Sequence, residues 1–414
     1  MTSFAFHKQK KYKFNVLYID GSIGFGGAVK SLSLTLRGLT KINKFILTSQ
    51  KKEIIDKWYK DFKVYQFRRI INYRNQQRLT VWLEHKCSIA FMQIFILKTV
   101  ALADLLLTLL YITRIILISK FHKIDIIHLN NYFLLEGIIA AKILKIPCLV
   151  HLRCFFEHKY DILSKSIKHV SHVIGVSNAV STSIPSDQIP AYKVTTIYDP
   201  VDIGLFETAA SKRDSVRKKL NLKDNDIAVG IFGRIVSWKG QLEFVHAALK
   251  AINLNDNLKA FIIGDISDGT SEYLCQIQSV INRSPVKDHF TLTGYQEDIE
   301  AYYCAMDIIV HASTAPEPFG MVVIEGMTAK KPVIATKAGG PLEVIDHETN
   351  GIFVEPGSVE EMSLKILDLV NNPSKRRQIG LNGFEMVQKR FSIETVASQV
   401  DNLYQKLLSE LPRS

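Results

Sequence analysis

Short apolar runs, each broken at a glycine or a polar turn and most of them followed by a helix-like stretch, constrain the fold of this chain more than any other feature. Phe14–Asp20 (FNVLYID) runs into Gly21, the loop Gly24-Phe25-Gly26-Gly27 follows, and Ala28–Leu39 continues with helical spacing. Lys44–Thr48, Asp125–Leu129, Pro147–Leu152, His169–Val176 and Lys193–Tyr198 repeat the strand pattern, with Glu136–Leu144 as an intervening helix. Further on, Ile227–Phe232, Ala260–Ile263, Phe290–Thr293, Asp307–His311 and Pro332–Ala335 read as strands, with a helix over Gln241–Ile252. Strands of continuous apolar character that alternate with helices are buried on both faces, which predicts α/β architecture with a doubly wound parallel sheet in each half. A chain of 414 residues exceeds one ordinary core, and two domains of roughly 200 residues fit it. The turn Asp199-Pro200 sets the expected division: 1–200, 201–385, and a C-terminal helix over 386–414 that packs back towards the first domain. The polar stretch Glu207–Leu220 reads as the approach to the second domain.

Charge separates the two halves. Residues 1–200 hold 29 Lys+Arg against 12 Asp+Glu, a balance of +17, whereas the remainder carries −5. The first half is therefore expected to face something anionic. Its densest part, Lys51–Arg78, sets Lys51, Lys52, Lys57, Lys60, Lys63, Arg68, Arg69, Arg74 and Arg78 among Trp58, Tyr59, Phe62, Tyr65, Phe67 and Tyr73. Such a mixture suits an anionic membrane surface, and it also binds nucleic acid. The stretch Ile89–Ser119 is strongly apolar, but Lys98, Asp104 and Arg114 interrupt it. Without the ~20 uncharged residues a bilayer core requires, it reads as a buried or half-buried helix rather than a span. The N-terminal basic stretch runs into too short an apolar segment for a signal peptide. Five scattered cysteines without C-x-x-C spacing argue against a zinc site or disulfide framework and fit a reducing, cytoplasmic compartment.

The residues that carry chemistry concentrate in Ala315–Gly340. Glu317-Pro318-Phe319-Gly320 ends a loop, and Met321–Ala329 reads as a helix, so the Gly320, Met321 and Val322 amides stand at a helix N-terminus, where an anion is favoured. Glu325 follows Glu317 by eight positions and is placed to accept a hydroxyl hydrogen bond. Upstream, Arg234 and Lys239 lie just beyond the carboxyl end of the strand Ile227–Phe232, where open α/β sheets bind ligands. An Arg fork and a Lys point charge there suit two phosphates. Gly264 and Gly294 close two more strands and allow close backbone approach. On spacing alone, each of these remains open to a plain reading as surface charge or turn.

Taken together, GRIVSWKG (Gly233–Gly240), FIIGD (Phe261–Asp265), EPFGMVVIEGMTAKKPVIATKAGGPLEVI (Glu317–Ile345) and NGIFVEPG (Asn350–Gly357) resemble the GT-B glycosyltransferases of family 4. That resemblance implies two Rossmann-like domains facing a cleft, with a nucleotide-sugar donor on the C-terminal one. By it, Arg234 and Lys239 hold the donor diphosphate, Glu325 the ribose and Glu317 the transferred sugar. The amides after Phe319 meet sugar and phosphate, Gly294-Tyr295 lies near the base, and Ala338-Gly339-Gly340 serves as support. In the first half, Gly26 and Gly27 sit in a loop similar to the family's first glycine loop, which approaches the donor across the cleft. VIGVSN (Val173–Asn178) and TIYDPVD (Thr196–Asp202) also match the family. Where its members often carry a His-Asp pair, this chain has His151-Leu152-Arg153-Cys154. His151 and Arg153 share a face of a strand, so either is a candidate for the histidine's role; His128 is read as structural.

The resemblance further implies retention at the anomeric carbon without metal or other cofactor, since no D-x-D stands in a donor context and no His/Asp cluster proposes a cation site. The diphosphate charge would be neutralised by Arg234, Lys239 and the helix N-terminus. A saccharide acceptor, held on lipid at the inner face of a cytoplasmic membrane, is the expected partner, with no nucleic acid. Two alternatives stand beside this reading. One is a nucleotide-sugar epimerase on the same fold; the other is a nucleic-acid-binding protein that uses the basic half.

Overall fold

The computed structural model describes residues 13–22, 26–67, 90–156, 166–266 and 271–410. Gly24, Phe25, Arg68, Arg69, Tyr73, Arg74 and Arg78, together with the side chains of Lys98 and Asp104, lie outside the described part. The chain divides into two compact units: Met1–Gly175 with Ile184–Thr195 and Val400–Ser414, and Val176–Ser183 with Thr196–Gln399.

The first unit is built on a seven-stranded sheet. Its strands are β1 (Asn15–Asp20), β2 (Asn43–Thr48), β3 (Lys63–Gln66), β4 (Ile126–Asn131), β5 (Cys148–Leu152), β6 (His172–Gly175) and β7 (Val194–Thr196), in the order β3-β2-β1-β4-β5-β6-β7. The ladders from β3 to β6 are parallel. Val16, Leu17, Tyr18 and Ile19 are fully buried, as a central strand covered on both faces requires. The helix Gly27–Gly38 follows β1, and Leu135–Leu144 follows β4. The latter packs so closely that a Cβ on Gly137 would lie 2.4 Å from a Leu129 methyl.

The second unit carries six strands: β8 (Ile227–Phe232), β9 (Leu258–Ile263), β10 (Phe290–Gly294), β11 (Ile308–His311), β12 (Val333–Thr336) and β13 (Ile352–Val354). Their order is β10-β9-β8-β11-β12-β13, and every ladder is parallel. In each sheet the first strand (β1 or β8) sits between strands that continue in opposite directions. That switch is the place where open α/β sheets bind ligands. Two Rossmann-like parallel sheets with flanking helices are thus the fold the alternation predicts.

Several elements differ from the sequence reading. The polar stretch Glu207–Leu220 is largely helical: Ile203–Ala210 and Arg213–Lys219 are helices. Asp202 caps the first by accepting from the Leu205 amide at 3.1 Å, and the buried Arg217 donates to the Ala305 and Asp226 carbonyls. Within the basic, aromatic stretch, Lys52–Trp58 is a helix and β3 an edge strand, and Tyr59 is buried rather than presented to a surface. Ala90–Phe121 forms a 32-residue helix, and no helix among the described residues is long and apolar enough to cross a membrane. Near the C-terminus one helix ends at Arg390 and another starts at Ile393, so the expected element over 386–414 is broken at Phe391 and Ser392.

The domain edges follow from specific contacts. Val176–Ser183 joins the second unit, where the Ser177 hydroxyl donates to the Pro318 carbonyl and Glu343 accepts from the amides of Asn178 (2.7 Å) and Ala179 (2.8 Å). Val400–Ser414 joins the first, where Tyr404 bonds the Tyr18 hydroxyl at 2.9 Å and meets Phe14 edge-on.

Candidate functional site

In the second unit, three neighbouring strands end in glycines with positive φ: Gly233 (130°), Gly264 (145°) and Gly294 (67°). At Gly264 the need is steric, because a Cβ would stand 1.9 Å from the Gly233 carbonyl oxygen. Beside Gly233 and Gly294 no atom lies within 4 Å of such a Cβ, so backbone is open there. The loop after β8 is pinned against the loop after β11. Gly240 (φ 73°) has no room for a Cβ, which would meet the Ala312 carbonyl oxygen at 1.9 Å, and the Thr314 amide donates to the Trp238 carbonyl at 2.9 Å.

That pinning delivers Lys239 to Glu317. The two side chains form an ion pair, the His311 Nε2 stands 2.9 Å from the same Oε1, and the Ser313 hydroxyl donates to it at 2.5 Å. Glu317 is 6% exposed. Burial alone would raise its carboxyl, but the charges of His311 and Lys239 and their hydrogen bonds outweigh it and hold the group well below the usual carboxylate range. Backbone contacts fix the loop that carries it. The Gly340 amide donates to the Glu317 carbonyl at 2.9 Å, and a Cβ on Gly339 (φ 66°) would fall 2.3 Å from that oxygen. Ala338-Gly339-Gly340 therefore acts as a support against which the loop lies.

Phe319, buried between Tyr198 and Phe391, anchors the next turn. Gly320 (φ 88°) starts the helix Met321–Thr328, and its carbonyl accepts from the Val323 amide at 2.9 Å. Met321 and Val322 are half-buried at this end. Glu325, further along, is buried and accepts from the Tyr303 hydroxyl at 2.9 Å. Tyr303 stacks on Phe232 at the end of β8 with 3.7 Å between centroids, and burial and the neighbouring Glu325 push its phenol well above the ordinary value. Arg234 and Tyr295 are exposed on their loops; the Arg234 carbonyl accepts from Gln241 Nε2 at 2.9 Å. The structure thus joins Lys239 to Glu317 through contacts that spacing did not reveal. His311, Ser313 and Tyr303 were missed. The available signal was position: His311 ends β11 and Ser313 follows two residues later, at the carboxyl edge of a central strand.

In the first unit, a buried polar cluster occupies the carboxyl ends of β1, β4 and β5. The Asp20 carboxylate accepts from the Ser22 amide (3.1 Å), the Thr48 hydroxyl (3.3 Å), the Tyr59 hydroxyl (3.1 Å) and Asn130 Nδ2 (3.1 Å). The Asn130 side-chain oxygen in turn accepts from Arg153, which stands just past β5 and is 9% exposed. His151 is buried one strand position before the end, its ring 5.7 Å from that of His128. His128 bonds Tyr404 through Nδ1. Burial first, and the Arg153 charge second, hold its pKa well below the usual imidazole value. Gly26 caps the helix that begins at Gly27, with open space where a Cβ would stand. Among the described residues no group of three His, Cys, Asp or Glu could hold a metal ion.

The chain is similar to known glycosyltransferases. The family described as Glycosyl transferases group 1 matches residues 212–386, and Glycosyltransferase Family 4 matches residues 89–205. An uncharacterized glycosyltransferase of Methanocaldococcus jannaschii is 29% identical over 287 residues, 69% of this chain and 76% of that protein. The capsular polysaccharide biosynthesis glycosyltransferase CapM of Staphylococcus aureus is 26% identical over 58% of this chain and 62% of its own length. Among solved structures, Anabaena HepE in complex with UDP superposes with a TM-score of 0.76 at 24% identity, covering 95% of this chain and 100% of that one. Its complex with UDP-glucose gives 0.74 at 25%, covering 95% and 99%.

Proposed function

Because this chain belongs to the GT-B glycosyltransferases of family 4, we propose that it transfers a sugar, with retention, from a nucleoside-diphosphate sugar to a hydroxyl of a saccharide acceptor. The observation that carries the proposal is the buried Glu317 carboxylate, held charged by Lys239 and His311 beside a helix N-terminus. A carboxylate kept ionised in a dry site is a strong acceptor for sugar hydroxyls. A lysine beside it supplies the positive charge that a leaving diphosphate needs. Lys239, the exposed Arg234 and the amides of Gly320, Met321 and Val322 take the diphosphate. Glu325, oriented by Tyr303, takes the ribose, and Gly294 and Tyr295 lie by the base.

The acceptor oxygen attacks the anomeric carbon on the face that the diphosphate leaves. The bond from that carbon to the phosphate oxygen breaks, and the acceptor's proton passes to the departing phosphate oxygen. No metal takes part in this scheme; the cationic charge comes from side chains and amides. His151 or Arg153, at the end of β5, serves on the acceptor side. HepE has been crystallised with UDP-glucose, which makes UDP-sugars the first donors to test. The name of CapM supports a role in cell-surface polysaccharide synthesis, and the basic first half supports a lipid-linked acceptor at the inner membrane face, approached from the cytoplasm.

Incubation with a panel of nucleotide sugars and lipid-linked acceptors, followed by NMR of the product, tests the reading. A new glycosidic bond with the donor's anomeric configuration supports it. Inversion, or a donor epimerised without transfer, overturns it.

A further inference from the structure

The long helix of the first unit is apolar on both its buried and its exposed side. On its described turns Ile112, Ile115, Ile118 and Ser119 are buried. The opposite side presents Leu102, Leu105, Leu106, Leu109, Leu110 and Leu117, each more than half exposed, and ends at Phe121, 80% exposed. At 3.6 residues per turn these positions share one face, which extends for about 30 Å. Soluble monomers rarely leave a contiguous apolar surface of this kind without a partner.

The rim of the face is cationic. Arg114 flanks the face, Lys120 lies at its C-terminal end and Lys123 follows the helix, all three exposed. The Arg114 guanidinium lies 5.1 Å from the Phe67 ring centroid, so the helix runs beside the edge of the sheet next to β3. There Lys63 is exposed over Phe45, whose ring stacks on His122 at the helix end. An apolar stripe bordered by Lys and Arg is what a helix lying in the headgroup layer of an anionic bilayer presents.

We propose that the leucine face of residues 102–121 is a membrane-docking surface, seated in the plane of an anionic lipid leaflet with Arg114, Lys120, Lys123 and Lys63 on the headgroups. It rests on the reading of a lipid-borne acceptor and names the element that meets the lipid. The leucines insert shallowly, because Lys98, Asp104 and Arg114 interrupt the apolar sequence.

The test is flotation of the full chain with vesicles of phosphatidylglycerol and phosphatidylcholine, against vesicles of phosphatidylcholine alone, at low and high salt. The wild type is expected to float with the anionic vesicles. Leu106→Glu/Leu110→Glu is expected to lose at least ~10-fold in partitioning even at low salt, because insertion of apolar side chains is removed. Arg114→Glu/Lys120→Glu/Lys123→Glu keeps the leucines and is expected to lose the preference for anionic lipid. Circular dichroism and the thermal response to nucleotide sugar are read on each variant; both substituted sets lie on exposed positions, and both readouts are expected to match wild type. Equal flotation of the leucine variant and wild type overturns the proposal, as does a wild type that ignores lipid. A wild-type dimer that the leucine substitutions split into monomers, read by light scattering, also overturns it, since a second copy would then cover the face. Vesicle binding without any nucleotide-sugar response would sink the transferase reading and leave the docking surface standing; the reverse result would sink only the docking surface.

Discussion

Two buried carboxylates, Asp20 in the first unit and Glu317 in the second, occupy the carboxyl edges of parallel sheets and are stabilised by opposite means. Asp20 is surrounded by neutral donors: an amide, two hydroxyls and a carboxamide. The donors tie β1 to β2 and β4, and the nearest cation, Arg153, reaches the cluster only through the Asn130 side chain. Glu317 is held by an ion pair with Lys239, on the loop after β8, and by the ring of His311 at the end of β11. Such partners are costly to bury and cheap to redirect when a charged ligand arrives. On the proposed function, Asp20 belongs to the scaffold and Glu317 to the chemistry.

The largest expected effect is on turnover. Lys239→Ala or Glu317→Gln should lower kcat at least ~100-fold, the cost of one well-placed charge stabiliser, whereas Asp20→Asn should leave it within a few-fold once stability is matched. Steady-state kinetics on the three variants would break the comparison if Asp20→Asn were the most damaging.

Stability should also separate the two units. Gly339→Ala drives a Cβ into the Glu317 carbonyl at a positive φ and should cost about 2–3 kcal/mol by denaturant unfolding. Gly26→Ala sits on extended backbone in open space and should cost no more than about 0.5 kcal/mol. Asp20→Asn falls between them, at about 1–2 kcal/mol, because a donor replaces an acceptor facing two hydroxyls and a carboxamide.

Acid should separate the units by smaller steps. His128 and His172 lie in the first, both lowered chiefly by burial, His172 to about 4. A lowered histidine pKa means the unfolded chain binds protons first, so stability in the first unit should decline as pH falls through about 6.5. Glu317 is lowered as well, but it is an acid. Its contribution is complete above its unfolded value of about 4.3 and is lost only as pH falls below that, towards its folded pKa. Melting followed by hydrogen exchange between pH 7 and 4 should therefore show protection lost first in the first unit. Simultaneous loss would remove the distinction.

The sequence made the second unit's machinery legible because its residues cluster locally. Glu317, Gly320 and Glu325 fall within one loop and one helix, and the glycines that end β8, β9 and β10 are visible as strand punctuation. His311 and Ser313 escaped notice because their role depends on a loop being held against the Trp238–Gly240 turn by backbone contacts. The Asp20 cluster was illegible for a related reason: Thr48, Tyr59 and Asn130 approach it from 28, 39 and 110 positions away. Neutral side chains at such separations carry no pattern. The short edge strand β3 (KVYQ) was hidden by its polar residues, and the helix Ile203–Ala210 by the polar stretch that overlaps it, although Asp202 was an available cap.

The proposed donor site centres on the ion pair of Lys239 and Glu317. Melting of the wild type and of Lys239→Ala against saturating UDP-, GDP- and dTDP-sugars measures it most directly, since a ligand that binds only the folded state raises the midpoint by mass action. The wild type should shift upward with at least one donor, and the variant should lose that shift while keeping its unliganded fold. Equal shifts in both proteins would contradict the account.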